Sequence, residues 1–181
     1  QTFLYINSAT SNGLEITQTA PVVIRDLRVE NLITATAGAC IRIGGPSATQ
    51  LNVRSIIERV YLNGCWDGVD WTRSSNITVQ RSQILNFITT GIRAQSEPAL
   101  ADSGDNQIFG NEINPSIATG TNIYVTSGGG LRILGNKLQN AAIGIWLDWA
   151  GTENSAQLLI ANNSIDNPAT NAISLDRQAG I

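Results

Sequence analysis

The sequence predicts an all-β fold, a parallel β-helix, and it does so through a repeat and through the absence of helical periodicity. Ten-residue segments with one pattern of apolar and polar residues recur along the chain, and each reads as two short strands separated by a kink. They are VVIRDLRVEN (22–31), ITVQRSQILN (77–86), NQIFGNEINP (106–115), LRILGNKLQN (131–140) and LLIANNSIDN (158–167), with SIIERVYLNG (55–64) as a looser sixth. Another alternating strand follows each segment, and no repeat contains a stretch long enough for a helix. Each repeat is therefore predicted to hold three short strands joined by turns.

The spacing of equivalent residues predicts how the repeats stack. The equivalent apolar residues of the middle strand are Val29, Leu62, Ile84, Ile113, Leu138 and Ile165, separated by 33, 22, 29, 25 and 27 residues. If each strand pairs in parallel with its equivalent one repeat later, the coils stack at about 4.8 Å. With FLYIN (3–7) and GLEIT (13–17) as an earlier partial coil, we expect about seven coils. The usual hand of parallel crossovers favours a right-handed, single-stranded helix.

Two other solenoids fit the pattern less well. A left-handed helix of hexapeptides requires a strict six-residue period, which this sequence lacks. A leucine-rich repeat also ends in a buried asparagine, but the isoleucines, valines and irregular turn lengths argue against it. Asn111, Asn136 and Asn163 share one column of the repeat. Because asparagine tolerates the left-handed conformation, we expect these three residues to form the bends.

Length and charge limit the domain count and the partners. The 181 residues are expected to form a single β-helix domain over 1–181. With 11 Lys and Arg against 14 Asp and Glu there is no basic stripe, so we expect no nucleic-acid partner. No apolar run is long enough for a membrane span. The chain begins at Gln1 and contains no Met, which favours a segment of a longer protein.

The stretches LRILGNKLQNAAIGIWL and LLIANNSIDNPATNAISL resemble the right-handed β-helices of the pectate-lyase-like superfamily, above all the coils of bacteriophage tailspikes. The resemblance extends over nearly the whole chain. It implies a module that binds, and in some relatives cleaves, a bacterial surface polysaccharide such as a capsule or O-antigen. It also implies a homotrimer and a location in the virion tail or outside the cell. Fold alone does not establish function, so the chemistry has to be sought in the residues.

The residue types exclude several reactions. The chain has no histidine, which removes Ser-His-Asp and Cys-His nucleophiles and histidine zinc sites. Cys40 and Cys65 cannot close a thiolate zinc site, and two isolated cysteines are expected as buried thiols rather than as a disulfide. There is neither a Gly-His-Gly element nor an Asp-Asp pair, which argues against a polygalacturonase-like hydrolase. A carboxylate pair for glycoside hydrolysis and an acid or arginine assisting β-elimination remain.

Side-chain alternation predicts which residues of the third strand point outward. The first outer column is Glu15, Arg42, Asp70, Arg93, Tyr124, Trp146 and Ser174, and the second is Thr17, Gly44, Thr72, Gln95, Thr126, Asp148 and Asp176. Charges alternate at the start of the first column, which is typical of a solvated charge ladder, with a substrate contact at Asp70 as the alternative. Tyr124 and Trp146 suit the apolar faces of sugars, with burial under a loop or subunit as the alternative.

The candidate catalytic residues are Asp148, Glu97 and Asp105, and the candidate substrate-binding residues are Tyr124, Trp146, Trp149, Arg93 and Asp70. Loop 96–105 carries Glu97 and Asp105 to within about 10 Å of Asp148 by stacking distance, near the carboxylate separation of inverting glycosidases. An acidic loop that is merely solvated is the alternative. No cofactor is expected, although calcium stays open without a recognisable motif. Two further functions compete: a non-catalytic structural or adhesive rod, and a secreted pectate-lyase-like polysaccharide lyase.

Overall fold

The computed structural model describes residues 2–17, 20–44, 52–72, 74–95, 105–126, 130–148 and 157–176. These residues form 22 β-strands, numbered here in chain order, and every strand pairing between them is parallel. The strands lie in three long sheets, called A, B and C, and one two-stranded sheet. The prediction of a parallel β-helix with three strands per coil is confirmed.

The long sheets run the length of the rod. Sheet A contains β1 (Thr2–Ile6), β4 (Leu27–Asn31), β8 (Tyr61–Asn63), β12 (Gln83–Phe87), β15 (Glu112–Pro115), β18 (Lys137–Gln139) and β21 (Ser164–Asp166). Sheet B contains β2 (Leu14–Ile16), β5 (Ala39–Ile43), β9 (Asp67–Thr72), β13 (Thr90–Gln95), β16 (Thr121–Val125), β19 (Ile143–Asp148) and β22 (Asn171–Asp176). Sheet C contains β3 (Val23–Arg25), β7 (Ile56–Glu58), β11 (Thr78–Gln80), β14 (Gln107–Phe109), β17 (Arg132–Leu134) and β20 (Leu159–Ala161). The short sheet pairs β6 (Asn52–Val53) with β10 (Ser74–Ser75).

Each coil passes through sheets C, A and B in that order. Six coils contain all three strands, and a partial coil of β1 and β2 precedes them. The number of complete coils is thus slightly lower than the seven expected, because the first coil has no strand in sheet C.

The interior of the rod is built from columns of stacked aliphatic side chains. The column predicted from the spacing, which begins with Val29 and Leu62, is paired residue by residue in sheet A. Branched aliphatic side chains suit this position because they pack against identical neighbours on a pleated surface. The columns are fully buried in the middle coils, whereas in the last coil Ile173 is 43% exposed. Burial of the core therefore depends on a coil lying on each side.

The bends between sheets C and A are made by a different column from the one predicted. The residues with positive φ at this corner are Asp26, Arg59, Arg81, Gly110, Gly135 and Asn162. Each of the last three immediately precedes one of the predicted asparagines, Asn111, Asn136 and Asn163. The expectation that these asparagines adopt the left-handed conformation is therefore wrong, since the preceding residue supplies the bend.

The three asparagines instead form a ladder of hydrogen bonds, here called the asparagine ladder. Asn136 Oδ1 accepts from the backbone N and from Nδ2 of Asn111, each at 3.0 Å. Asn163 Oδ1 accepts in the same way from Asn136, at 2.9 Å for both bonds. The Nδ2 groups of Asn136 and Asn163 also donate to the carbonyls of Ile108 and Ile133. Both ends of each amide are used, so a buried polar column lies in the rod without unpaired groups.

Cys40 and Cys65 form a disulfide, contrary to the expectation of free thiols. Their Cα atoms are 5.5 Å apart although 25 residues separate them in sequence. That separation is close to one coil, so stacking brings the two residues together between neighbouring coils. The bond joins β5 to the corner before β9.

Candidate functional site

The outer face of sheet B carries the residues that the alternation predicted. The first column is paired in the predicted order, from Glu15 with Arg42 through to Trp146 with Ser174. In the second column, Gln95 pairs with Thr72 and Asp148 with Asp176. The side chains of Trp146 and Asp148 are half-buried, while Leu147 between the two columns is fully buried. The register therefore brings the predicted polar and aromatic residues onto one surface.

Towards the C-terminal end of this face, four residues form what we call the aromatic cluster: Tyr124, Trp146, Asp148 and Asp176. The rings of Tyr124 and Trp146 lie in adjacent coils, with centroids 4.9 Å apart and planes inclined at 54°. Tyr124 donates its hydroxyl proton to Asp148 Oδ2 at 3.2 Å, and Trp146 donates from Nε1 to Asp176 Oδ2 at 2.7 Å. Each ring is thus oriented by a carboxylate at its polar end, which fixes the shape of the surface.

Asp148 has one oxygen that this network does not use. Its Oδ2 accepts from Tyr124, whereas Oδ1 is buried and has no hydrogen-bond donor among the described residues. A buried acceptor without a donor is costly, and most such groups in proteins are paired. Asp148 Oδ1 is therefore suited to accept a hydrogen bond from a ligand hydroxyl beside the two rings.

Nearer the N-terminal end, the same face holds an acid and arginine cluster, defined by Arg42, Asp67, Asp70, Arg93 and Gln95. Arg93 Nη2 donates to Asp67 Oδ1 at 3.0 Å. Gln95 Nε2 donates to Asp70 Oδ1 at 3.3 Å, and Arg42 Nε lies 3.9 Å from Asp70 Oδ2. The predicted charge ladder is present between Arg42 and Asp70, but Arg93 pairs with Asp67 instead of continuing it.

Both aspartates of this cluster are buried, whereas the sequence suggested a solvated charge ladder at Asp70. Asp67 is 5% exposed and Asp70 is 6% exposed. Burial raises the pKa of Asp67 to about 6, opposed by the charge of Arg93 and assisted by the charge of Asp70. Burial also raises the pKa of Asp70, against the charges of Arg93 and Arg42. Little of the surface of either carboxyl is therefore open to a ligand.

Of the remaining predicted site residues, one lies in the described part of the chain. Glu97 and Trp149 lie outside the described residues. Asp105 is exposed and lies in the turn before β14 of sheet C, where its backbone adopts the left-handed conformation with φ of 59°. Asp148 lies at the end of β19 in sheet B, so the two carboxylates belong to different sheets.

Sequence reasoning overlooked Asp67 because it lies at the first position of β9, where alternation does not decide the direction of a side chain. Its register partners in the neighbouring coils are Ala39 and Thr90. The sequence did contain one indication of a special role: Asp67 places a carboxylate in a column where Ala39 carries a methyl group and Thr90 a hydroxyl group. Arg93 reaches this column, since Nη2 also donates to Thr90 Oγ1 at 3.2 Å.

The described residues contain neither a metal-binding cluster nor a membrane-spanning helix. They contain no group of three or more Asp, Glu, His or Cys side chains that could hold a metal ion. Nor does any described segment form an apolar helix of the length needed to cross a bilayer.

Comparison with known proteins identifies the family. The family model described as a right-handed β-helix region matches residues 4–165. No curated protein and no solved structure matches the chain. The matched residues include five of the six complete coils and end within β21 of the last one, so the family and the three-sheet architecture agree. The chain belongs to the right-handed β-helix family.

Proposed function

We propose that this chain is a tailspike-like module that binds a bacterial surface polysaccharide on the outer face of sheet B. The observation that carries the proposal is the aromatic cluster, in which Tyr124 and Trp146 are adjacent, partly exposed and held by carboxylates. Sugars present apolar C–H faces together with hydroxyl groups. The two aromatic rings can pack against the C–H faces, and the carboxylates beside them can accept hydrogen bonds from the hydroxyl groups.

The two clusters on this face divide the recognition between them. The rings of Tyr124 and Trp146 would pack on sugar faces, and Asp148 Oδ1 would accept from a hydroxyl. Arg93, in register with Tyr124, would contact an acidic or hydroxyl substituent one coil away. Asp70 would act through Gln95 and Arg42, which it orients, rather than by direct contact. A glycan chain would then run along the rod axis.

The test is binding to a panel of bacterial capsular and O-antigen polysaccharides by wild type and by Trp146→Ala. Removing a packed aromatic ring loses roughly 2 kcal/mol, so affinity should fall at least tenfold. Tyr5→Ala is the matched control, because Tyr5 is an exposed aromatic residue on sheet A, away from this face. Equal affinities for all three proteins would contradict the assignment of the site, and no binding across the panel would contradict the function.

Cleavage of the bound glycan is a second candidate function, supported by Asp148. Its Oδ1, which has no hydrogen-bond donor among the described residues, lies beside the proposed sugar site, and rotation of the carboxylate towards the ligand would place it as a general base or nucleophile. Asp148→Asn should keep the fold and most of the affinity while abolishing the release of reducing ends. If wild type binds a glycan without releasing fragments, the non-catalytic adhesive rod is the correct alternative. An unsaturated product whose formation stops with a chelator would identify the calcium-dependent lyase instead.

The proposal includes a homotrimer in a virion tail or outside the cell. The disulfide between Cys40 and Cys65 suits an oxidising environment of this kind. Val23 and Ile56, which are adjacent in register on the outer side of sheet C, would lie in the contact between rods. Light scattering of the purified chain should then give three times 19.3 kDa, and a monomer would contradict the trimer without affecting the glycan site.

A further inference from the structure

A second candidate site lies at the corner between sheets C and A, away from the outer face of sheet B. An open cavity of about 550 Å³ is lined there by Arg28, Arg59, Val60, Tyr61, Arg81 and Gln83. Three successive coils contribute to it, through β4, β8 and β12 and the corners that precede the last two. We propose that this cavity binds an oxyanion, the phosphate or carboxylate group of a ligand.

The distribution of charge around the cavity favours an anion. Each arginine has an acidic neighbour: Arg28 pairs with Glu30, Arg59 pairs with Asp26 and also with Glu58, and Arg81 lies at a longer distance from Glu58. Among the described residues, none of these carboxylates lines the cavity. The acids therefore orient the guanidinium groups from outside, and the wall itself presents only cations and neutral groups.

Two of the arginines retain donors that their acidic neighbours do not use. Arg81 Nη1 is 3.9 Å from Glu58 Oε1, too far for a hydrogen bond, and the Arg81 side chain is 65% exposed. Arg28 Nε is buried and has no acceptor among the described residues. The guanidinium carbon of Arg28 lies 4.3 Å from the centroid of the Tyr61 ring and 5.6 Å from that of Phe3. This contact fixes the plane of the guanidinium group at the wall of the cavity.

The chemistry of these donors identifies the ligand class. The planar fork of a guanidinium group matches the two oxygens of a carboxylate or phosphate, and such charge-assisted bonds are about twice as strong as neutral ones. The hydroxyl of Tyr61 and the amide of Gln83 add neutral donors on the same wall, although one N–H of Gln83 already donates to Glu112 Oε2 at 3.0 Å. The cavity volume falls within the range of small-ligand sites, so an anionic group with a sugar or organic substituent would fit.

The experiment is an NMR titration of the arginine side-chain N–H signals of the full chain at constant ionic strength. Sodium phosphate is the probe in one arm and sodium glucuronate in the other. The variants are Arg81→Gln and, as matched control, Arg132→Gln, an exposed arginine on β17 that does not line the cavity. Backbone amide signals report that each variant is folded.

We expect saturable shifts of the Arg28 and Arg81 signals in wild type and in Arg132→Gln. Arg81→Gln should bind about tenfold more weakly, as loss of one charge-assisted hydrogen bond predicts. Saturation by one anion alone supports the site and identifies its ligand as a phosphate or a carboxylate. The absence of saturation with both anions, or equal affinity in Arg81→Gln and wild type, would overturn the proposal and leave a surface ion-pair network.

Discussion

The asparagine ladder and the polar residues on the outer face of sheet B differ in whether the chain completes their hydrogen bonds. In the asparagine ladder, both ends of the Asn136 amide are bonded to neighbouring coils. On the outer face of sheet B, Arg93 Nε and Asp148 Oδ1 are buried without partners among the described residues. A column whose bonds recur from one coil to the next belongs to the scaffold, whereas a column with unused groups is suited to a ligand. The comparison predicts separate effects on stability and on binding.

The largest loss of stability is expected from Asn136→Leu. Leucine fills a similar volume but leaves the Asn111 N–H and the Ile108 carbonyl without partners, which costs about 4 kcal/mol of unfolding free energy in total. Asn114→Leu on the outer side of sheet A is the control, and its effect should stay below about 1 kcal/mol. Chemical denaturation measures both. Similar losses of unfolding free energy in the two variants would mean that the asparagine ladder stabilises the protein no more than Asn114 does.

The disulfide is the next largest contribution. Replacing both Cys40 and Cys65 with alanine opens a loop whose ends are 25 residues apart, and loop entropy then lowers the unfolding free energy by about 3.5 kcal/mol. Reductant should lower the stability of wild type by a similar amount and leave the double variant unchanged. Glycan affinity should be the same in both oxidised wild type and the variant, provided that both remain folded. A change in glycan affinity would show that the disulfide also determines the shape of the outer face of sheet B.

The buried carboxyl of Asp67 should make stability depend on pH. Its pKa is about 6 in the folded protein against 3.8 for the exposed group, so the folded state binds the proton more tightly. The resulting contribution to the unfolding free energy, about 3 kcal/mol in all, is complete below pH 3.8 and is lost as the pH rises through 6. Asp67→Asn should remove most of this slope. A smaller slope of the same sign should remain, because burial also raises the pKa of Asp70.

Asp26→Asn is the control of opposite sign. The hydrogen bond from Arg59 holds the pKa of Asp26 below its usual range, so its contribution is present above the ordinary value and is lost as the pH falls. Denaturation curves from pH 3 to pH 7 compare the three proteins. If wild type gains stability relative to Asp67→Asn as the pH rises from 4 to 6, the burial of Asp67 does not control its titration.

The sequence was sufficient to predict the fold, because each column of the repeat is sampled in several coils. The register of Ile84 with Ile113, and of Tyr124 with Trp146, follows from alternation and spacing alone. The role of Asn136 was not predictable in the same way, since a conserved position in the repeat does not show whether the backbone or the side chain is needed. Asp67 was missed because it lies at a corner, where the period of two does not apply.

The smallest effect is expected at the bends, and it separates them from the ladder that follows. Gly135 has φ of 62°, and a Cβ added there would meet no atom within 4 Å. Gly135→Ala should therefore lower the unfolding free energy only by the strain of placing alanine in the left-handed conformation, about 1 kcal/mol. Asn162, which holds the equivalent bend one coil later with φ of 58°, already tolerates a side chain, so Asn162→Gly should change stability by less. A loss at Gly135 as large as that at Asn136 would show that the backbone bend, rather than the side-chain ladder, holds this corner together.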